Sequence, residues 1–112
     1  MKPALHITFH GAERSEALET RIREKVEQLL SGRHDITSCR VSVEGPPRHR
    51  AHGGTWAIHI ELHRPGQPLI VSREPGHDPA HEDPFVAVRD AFETARRRLV
   101  DEAKGRRGGT LA

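Results

Sequence analysis

The sequence predicts one α+β domain of order β-α-β-β-β-α, with two helices packed on one face of a four-stranded sheet. Two segments repeat apolar residues at spacings of three and four, the pattern of a helix with one buried face. Three segments alternate apolar and polar residues, as strands do when only one face of their sheet is covered. A chain of 112 residues is long enough for one such domain and too short for two.

A strand and then a helix are predicted at the start of the chain. Residues 4–9 alternate with their apolar side chains on one face, and Gly11 ends the strand. Ser15 is a suitable N-cap because its hydroxyl can accept a hydrogen bond from the first helical turn. The apolar stripe that follows is typical of an amphipathic helix, which Gly32 closes. This stripe consists of Leu18, Ile22, Val26, Leu29 and Leu30.

Three further strands are predicted in the middle of the chain. Residues 36–44 form the second strand, and residues 55–63, which alternate most regularly, form the third. A basic loop, 45–54, connects them. Residues 64–67 have the composition of a tight hairpin turn, so that residues 69–73 return beside the third strand as the fourth.

The second helix is predicted to begin at Asp83 and to run to about Lys104. Asp83 is an N-cap residue, and the proline that follows it fits the first turn of a helix. The preceding segment, 74–83, is a loop rich in proline and acidic residues. Gly105 is expected to end the helix, because glycine commonly follows the last helical turn.

These elements can close around a single core. If the first two strands are adjacent and parallel, a right-handed crossover puts the first helix on the apolar face of the sheet. Trp56 lies on that face and is expected to fill the core. We expect one domain spanning residues 1–104, followed by a flexible basic tail over residues 105–112.

The composition argues against several classes of protein. A single cysteine, Cys39, allows neither an internal disulfide framework nor a cysteine-based zinc cluster. The chain begins without a long apolar run and holds no stretch of about 18 apolar residues, so we expect a cytoplasmic protein with no signal peptide or membrane span. It has no nucleophile elbow and no Walker loop. We therefore expect no enzymatic activity, no cofactor and no small-molecule substrate.

Basic residues are clustered, although the formal net charge is only +2. Residues 96–107 hold six bases against two acids, whereas residues 74–93 hold six acids and one base. Such clusters favour nucleic acid as a partner, because phosphate contacts release counterions and a guanidinium can meet two phosphate oxygens at once. The candidate RNA-binding residues are Arg21, Arg23, Lys25, Arg48, Arg50, Arg96, Arg97, Arg98 and Lys104.

The same arginines have a second interpretation as structural ion pairs. Several lie four residues from a glutamate on a predicted helix, a spacing at which the two side chains can meet. In that case they would brace a solvated helix face rather than bind a ligand. The pairs with this spacing are Glu19–Arg23, Arg23–Glu27, Glu93–Arg97 and Arg98–Glu102.

The nine histidines raise the hypothesis of a metal-responsive protein. Residues 77–83 offer two imidazoles and three carboxylates in one loop, and His59 and His63 share the polar face of a strand. Zinc needs three or four convergent ligands, and neither an HExxH nor a CxxC motif occurs. We expect no native metal site.

Four segments of the chain stand in the order found in one known family. The ordered set resembles the ribosome hibernation promoting factor / ribosome-associated translation inhibitor family and covers residues 4–104. The matching positions are Ala17, Leu18, Ile22, Lys25, Val26 and Leu29 in the first helix, residues 35–41, residues 65–66 with 69–72, and residues 83–92 with Arg97 and Leu99.

The resemblance implies two parallel helices on a four-stranded sheet and a non-enzymatic protein of the small ribosomal subunit. Members of the family occupy the channel used by mRNA and by the anticodon ends of tRNA. They block initiation there and store ribosomes in stress or stationary phase. Their basic helix faces contact the backbone of ribosomal RNA, so that shape and phosphate contacts would carry the affinity.

Carried over position by position, the family's basic sites match Lys25 and Arg97 best. Arg96, Arg98 and Lys104 are neighbours of the same type. The C-terminal dimerisation domain of long members is not expected, so the chain should be a monomer or weak dimer that does not bridge two ribosomes through such a domain. The alternative function is a general double-stranded RNA-binding module.

Overall fold

The computed structural model describes residues 3–46, 54–67, 70–74 and 79–109. The predicted order β-α-β-β-β-α is confirmed, with one short 3₁₀ turn added before the last helix. The elements are β1 (Ala4–His10), α1 (Glu16–Leu30), β2 (Ser38–Glu44), β3 (Ala57–His63), β4 (Ile70–Glu74), the 3₁₀ turn (Pro79–Glu82) and α2 (Pro84–Gly109).

The four strands form one sheet in the order β1-β2-β3-β4. β1 and β2 pair in parallel, with Ile7 opposite Val41, and α1 makes the crossover between them. β2 and β3 pair antiparallel, with Val41 opposite Ile60, and β3 and β4 also pair antiparallel. The register aligns the apolar residues of β1, β2 and β3 on one face of the sheet, where β4 contributes Ile70 together with the polar Ser72.

The ends of α1 follow the signals predicted from the sequence. The Ser15 hydroxyl accepts a hydrogen bond from the Leu18 amide at 3.2 Å, which satisfies one free donor of the first turn. The helix ends at Leu30, whose carbonyl accepts from the Arg33 amide at 3.0 Å. Gly32 between them adopts φ +76°, a left-handed conformation that glycine tolerates without a steric cost.

The β3–β4 connection begins with a tight turn over residues 64–67. The Gln67 amide donates to the Arg64 carbonyl at 3.1 Å. Pro65 and Gly66 occupy the two central positions, and Gly66 has φ +72°, as a type II turn requires. The hairpin predicted from this tetrapeptide is confirmed.

The start of α2 agrees with the prediction, but its end does not. The Asp83 carboxylate accepts from the Phe85 amide at 2.9 Å, which confirms the N-cap. The helix then continues through Gly105 to Gly109, five residues past its predicted end at Lys104. A glycine inside a helix costs about 1 kcal/mol but keeps its backbone donor, so one glycine weakens a helix without ending it.

The core lies between the helices and one face of the sheet. Cys39 is fully buried in it, and this burial raises the pKa of its thiol to about 12. Trp56 comes just before β3 rather than within it, and it packs half-buried against the core. Fully buried members include Leu18 and Ile22 of α1, Val41 and Val43 of β2, Ile58, Ile60 and Leu62 of β3, and Ala87, Val88, Ala91 and Ala95 of α2.

Candidate nucleic-acid interface

The two helices lie side by side and run in the same direction. Near their starts, the Arg21 guanidinium of α1 lies 5.8 Å from the ring centroid of Phe85 in α2, a cation–π distance. One turn further along α1, the charge of Lys25 acts on Glu93 of α2. The residues that meet across the two helices thus lie later in α2 as they lie later in α1. The helices are therefore parallel, as the family resemblance implies.

A groove runs between the helices on the side away from the sheet. We call it the interhelical groove; it encloses a cavity of about 330 Å³. Four of its side chains are cationic, one is acidic, and three apolar side chains contribute to its walls. It is lined by Lys25, Gln28, Leu29, Ser31 and Arg33 from α1 and the residues after it, and by Arg89, Phe92, Glu93, Arg96 and Val100 from α2.

The acidic side chain, Glu93, shows how the cations converge. Arg96 donates to both of its carboxylate oxygens, through Nε at 3.3 Å and through Nη2 at 2.5 Å. The pKa of Glu93 lies below its usual value, first because of this hydrogen bond and then because of the charges of Arg96, Arg97 and Lys25. Three residues predicted to bind RNA are therefore gathered around one carboxylate.

Several of these cations have no charged partner within the part of the chain that the structure describes. Among the described residues, no carboxylate lies within 4.0 Å of the charged groups of Lys25, Arg33 or Arg97. The predicted pair Glu93–Arg97 is wrong, because Arg96 occupies both oxygens of Glu93. These charges can bind a phosphate without first breaking an ion pair.

The structure does not bring every predicted cation to this groove. Arg23 pairs with Glu19 at 3.0 Å, as its spacing predicts, and lines a different depression, between α1 and the edge strand β1. Arg98 is exposed, but it is not among the described residues that line the interhelical groove. Its predicted partner Glu102 instead accepts from Arg64 at 2.8 Å.

Three candidates cannot be located from the described residues. Arg48 and Arg50 fall in the segment 47–53, which lies outside them. Lys104 belongs to the helical backbone of α2, but its side chain is also outside the described part. Their roles in RNA binding stay predictions.

Sequence reasoning missed two cations of the groove, Arg33 and Arg89. Arg33 follows the glycine that ends α1, so it lies outside any helical pattern. Arg89 was missed because the candidates were chosen from clusters of basic residues, and it is the single base in the acidic stretch 74–93. Its spacing of seven from Arg96, two helical turns, could have placed both on one face.

The histidines do not assemble a metal site in the described ranges. His59 Nε2 lies 4.0 Å from a carboxylate oxygen of Glu44 on the open face of the sheet, whereas His81 is buried against α2. No group of three His, Cys, Asp or Glu side chains there could hold a metal ion. Nor is any helix of the described residues both long and apolar enough to span a bilayer.

Known structures share this fold. A ribosomal subunit interface protein from Coxiella burnetii superposes with a TM-score of 0.69 at 14% identity, over 90% of this chain and 98% of that one. The N-terminal domain of Protein Y from Thermus thermophilus gives a TM-score of 0.58 at 14% identity, over 88% of this chain and 96% of that one. At such identities the likeness concerns the fold alone.

Comparison of the sequence with protein families gives a closer assignment. No curated protein gave a significant match. The family model for sigma 54 modulation protein / S30EA ribosomal protein, in contrast, matches residues 5–107, nearly the whole chain. This match confirms the resemblance to ribosome hibernation factors that the sequence motifs carry. The chain therefore belongs to the sigma 54 modulation protein / S30EA ribosomal protein family.

Proposed function

We propose that the protein binds the small ribosomal subunit in the channel for mRNA and tRNA and blocks translation by occupying it. The interhelical groove would bind the phosphate backbone of ribosomal RNA. The action is steric and non-enzymatic, and it would take place in the cytoplasm under stress or in stationary phase. Neither a cofactor nor a metal takes part.

The observation that carries this proposal is the group of accessible cations at the groove that have no carboxylate partner among the described residues. Lys25 and Arg33 line it, and the charges of Lys25 and Arg97 both act on Glu93. Arginine and lysine side chains on a solvent-facing helix pair give a sequence-independent electrostatic attraction to RNA backbone. Folded ribosomal RNA offers closely spaced phosphates and a fixed shape, which such a rigid helix pair can match.

Family membership supports a ribosomal partner over other anions. The sigma 54 modulation / S30EA family is one of ribosome-associated factors, and one similar fold belongs to a ribosomal subunit interface protein. A steric role also suits the chemistry of the chain. Its single thiol, Cys39, is fully buried, and its raised pKa keeps it from acting as a thiolate nucleophile at neutral pH.

The test compares two double variants that lose the same charge. Lys25→Gln/Arg97→Gln removes one cation that lines the groove and one whose charge acts on Glu93 of the groove, whereas Arg23→Gln/Arg40→Gln removes one beside β1 and one from the open sheet face. Binding to purified small ribosomal subunits is measured by co-sedimentation at several salt concentrations. We expect the groove variant to bind about tenfold or more weakly, with a salt slope lower by about two.

The matched control decides where the interface lies. Both positions of each variant are solvent-accessible, so both variants should melt near the parent's temperature. Equal losses in the two variants would mean that net charge alone drives binding, and unchanged binding of the groove variant would exclude the groove. If the protein binds a plain RNA duplex as tightly as the subunit, it is a general double-stranded RNA-binding module instead.

A further inference from the structure

The 3₁₀ turn before α2 holds a buried histidine that the proposed function does not use. His81 is 2% exposed, and its Nε2 lies 2.8 Å from Oδ2 of Asp90 in α2. Its carbonyl accepts from the Trp56 amide at 2.8 Å, which fixes the turn against the start of β3. The sequence predicted a plain loop here, with His81 as a metal-ligand candidate.

The chemistry of Asp90 determines the role of each atom in this contact. The hydrogen bond from His81, followed by that from Arg89, lowers the pKa of the Asp90 carboxyl, so it is ionised at neutral pH. An ionised carboxylate can only accept, so the proton lies on His81 Nε2, which donates. His81 Nδ1 is buried and has no hydrogen-bond partner among the described residues. His81 thus orients Asp90 through its Nε2 donor.

Asp90 in turn orients a cation of the interhelical groove. Its second oxygen, Oδ1, accepts from Nε of Arg89 at 3.1 Å. The Arg89 side chain is 64% exposed and lines the groove. A guanidinium has five N–H donors, so binding through Nε leaves the terminal nitrogens for a phosphate.

We infer that Arg89 is an additional phosphate-binding residue of the interhelical groove and that Asp90 and His81 are its positioning residues. The inference rests on the proposed function, because it assigns one more contact to the same RNA interface. A guanidinium held in place before binding loses less conformational freedom on meeting a phosphate, which strengthens the contact. Because the imidazole is buried, water has little access to its hydrogen bond with Asp90.

The first part of the test is Arg89→Gln, with Arg98→Gln as the matched control. Both residues are exposed arginines of α2, but only Arg89 lines the groove. Binding to small ribosomal subunits should weaken about tenfold for Arg89→Gln, as expected for the loss of one charge-assisted hydrogen bond. Its salt slope should fall by about one. Arg98→Gln should bind within about twofold of the parent.

The second part tests whether His81 acts through Arg89. His81→Leu removes the Nε2 donor and should weaken binding about threefold, the cost of ordering a freed side chain. His81→Gln keeps an amide donor at a similar reach and should restore most of the affinity. In the Arg89→Gln background, His81→Leu should cause no further loss. A purely structural role would weaken binding equally in both backgrounds.

The outcomes separate this inference from the proposed function. Thermal melting identifies variants that are not folded, and binding is compared below their melting temperatures. If Lys25→Gln/Arg97→Gln weakens binding and Arg89→Gln does not, the groove binds RNA but the role of Arg89 is wrong. If neither variant changes binding, the proposed interface itself is wrong. Additive losses for Arg89→Gln and His81→Leu would overturn the positioning role alone.

Discussion

Two cationic regions of this molecule differ in what their charges bind. At the start of the turn between β3 and β4, Arg64 is 1% exposed and donates through Nη2 to Oε1 of Glu102 at 2.8 Å. In the interhelical groove, Lys25 and Arg33 are half-buried, and neither has a carboxylate partner among the described residues. The first charge is neutralised inside the protein, and the others remain available to a ligand.

Solvent access and tertiary partners, rather than residue type, therefore decide what a cation does in this protein. Removing a guanidinium from water is costly unless a carboxylate compensates it, so the buried Arg64 depends on Glu102. An accessible cation bears no such cost and can bind an external anion. Mutations at the Arg64–Glu102 pair should therefore lower stability without weakening ribosome binding. Mutations of the accessible groove cations should weaken ribosome binding without lowering stability.

The largest expected effect on stability comes from Glu102→Leu. Removing this carboxylate leaves the charge of Arg64 buried without a counterion, which should lower the free energy of unfolding by about 3 kcal/mol. Urea denaturation followed by circular dichroism measures the change. Below its midpoint the variant should bind small subunits like the parent, in contrast to Lys25→Gln/Arg97→Gln.

The control for this prediction removes the pair as a whole. Arg64→Met/Glu102→Leu should recover much of the lost stability, because an apolar pair often replaces a buried ion pair without a net cost. A loss of less than about 0.5 kcal/mol for Glu102→Leu alone, the size of an ordinary surface effect, would show that Arg64 does not depend on Glu102.

A smaller effect is expected at a third cationic cluster, around Glu19. Arg14 and Arg23 both bind this carboxylate and lower its pKa to about 2, with the Arg14 hydrogen bond as the largest cause. A carboxyl whose pKa is lower in the folded protein than in the unfolded chain stabilises the folded state at pH values above its unfolded pKa. This stabilisation is lost as the pH falls through the folded-state pKa. Glu19→Gln should therefore lower the melting temperature at pH 6, and the difference from the parent should shrink towards pH 2.

The same variant tests whether a cation released from its ion pair contributes to ribosome binding. Glu19→Gln releases Arg23, which lies beside β1 and outside the interhelical groove. Ribosome binding should stay within about twofold of the parent. Clearly tighter binding would mean that Arg23 contacts RNA and that the interface extends around α1. A melting difference that stays constant from pH 6 to pH 2 would contradict the assigned pairing.

Most of the fold could be predicted because its signals are local. The Ser15 and Asp83 caps, the turn at Pro65-Gly66 and the alternation of β3 each depend on a few neighbouring residues. The end of α2 could not be predicted in this way. A glycine such as Gly105 lowers helix stability by only about 1 kcal/mol, which the rest of the helix outweighs.

The candidate site was harder to predict because it depends on contacts between distant elements. Helical spacing suggested Glu102 as a partner for Arg98, but Arg64, 38 residues earlier in the chain, binds it. Similarly, the contact from His81 to Asp90 joins two elements that no periodic pattern connects. Lys25 and Arg97 were candidates from the basic clusters and matched the family's basic sites best, whereas Arg33 and Arg89 emerged only from the packing of the two helices.

The central claim is that the interhelical groove holds the protein on the small subunit where mRNA and tRNA otherwise bind. The most direct measurement is the occupancy of labelled protein on purified small subunits as initiator tRNA and mRNA are added. We predict that occupancy falls in step with tRNA binding. Simultaneous binding of protein, mRNA and initiator tRNA to the same subunits would contradict it.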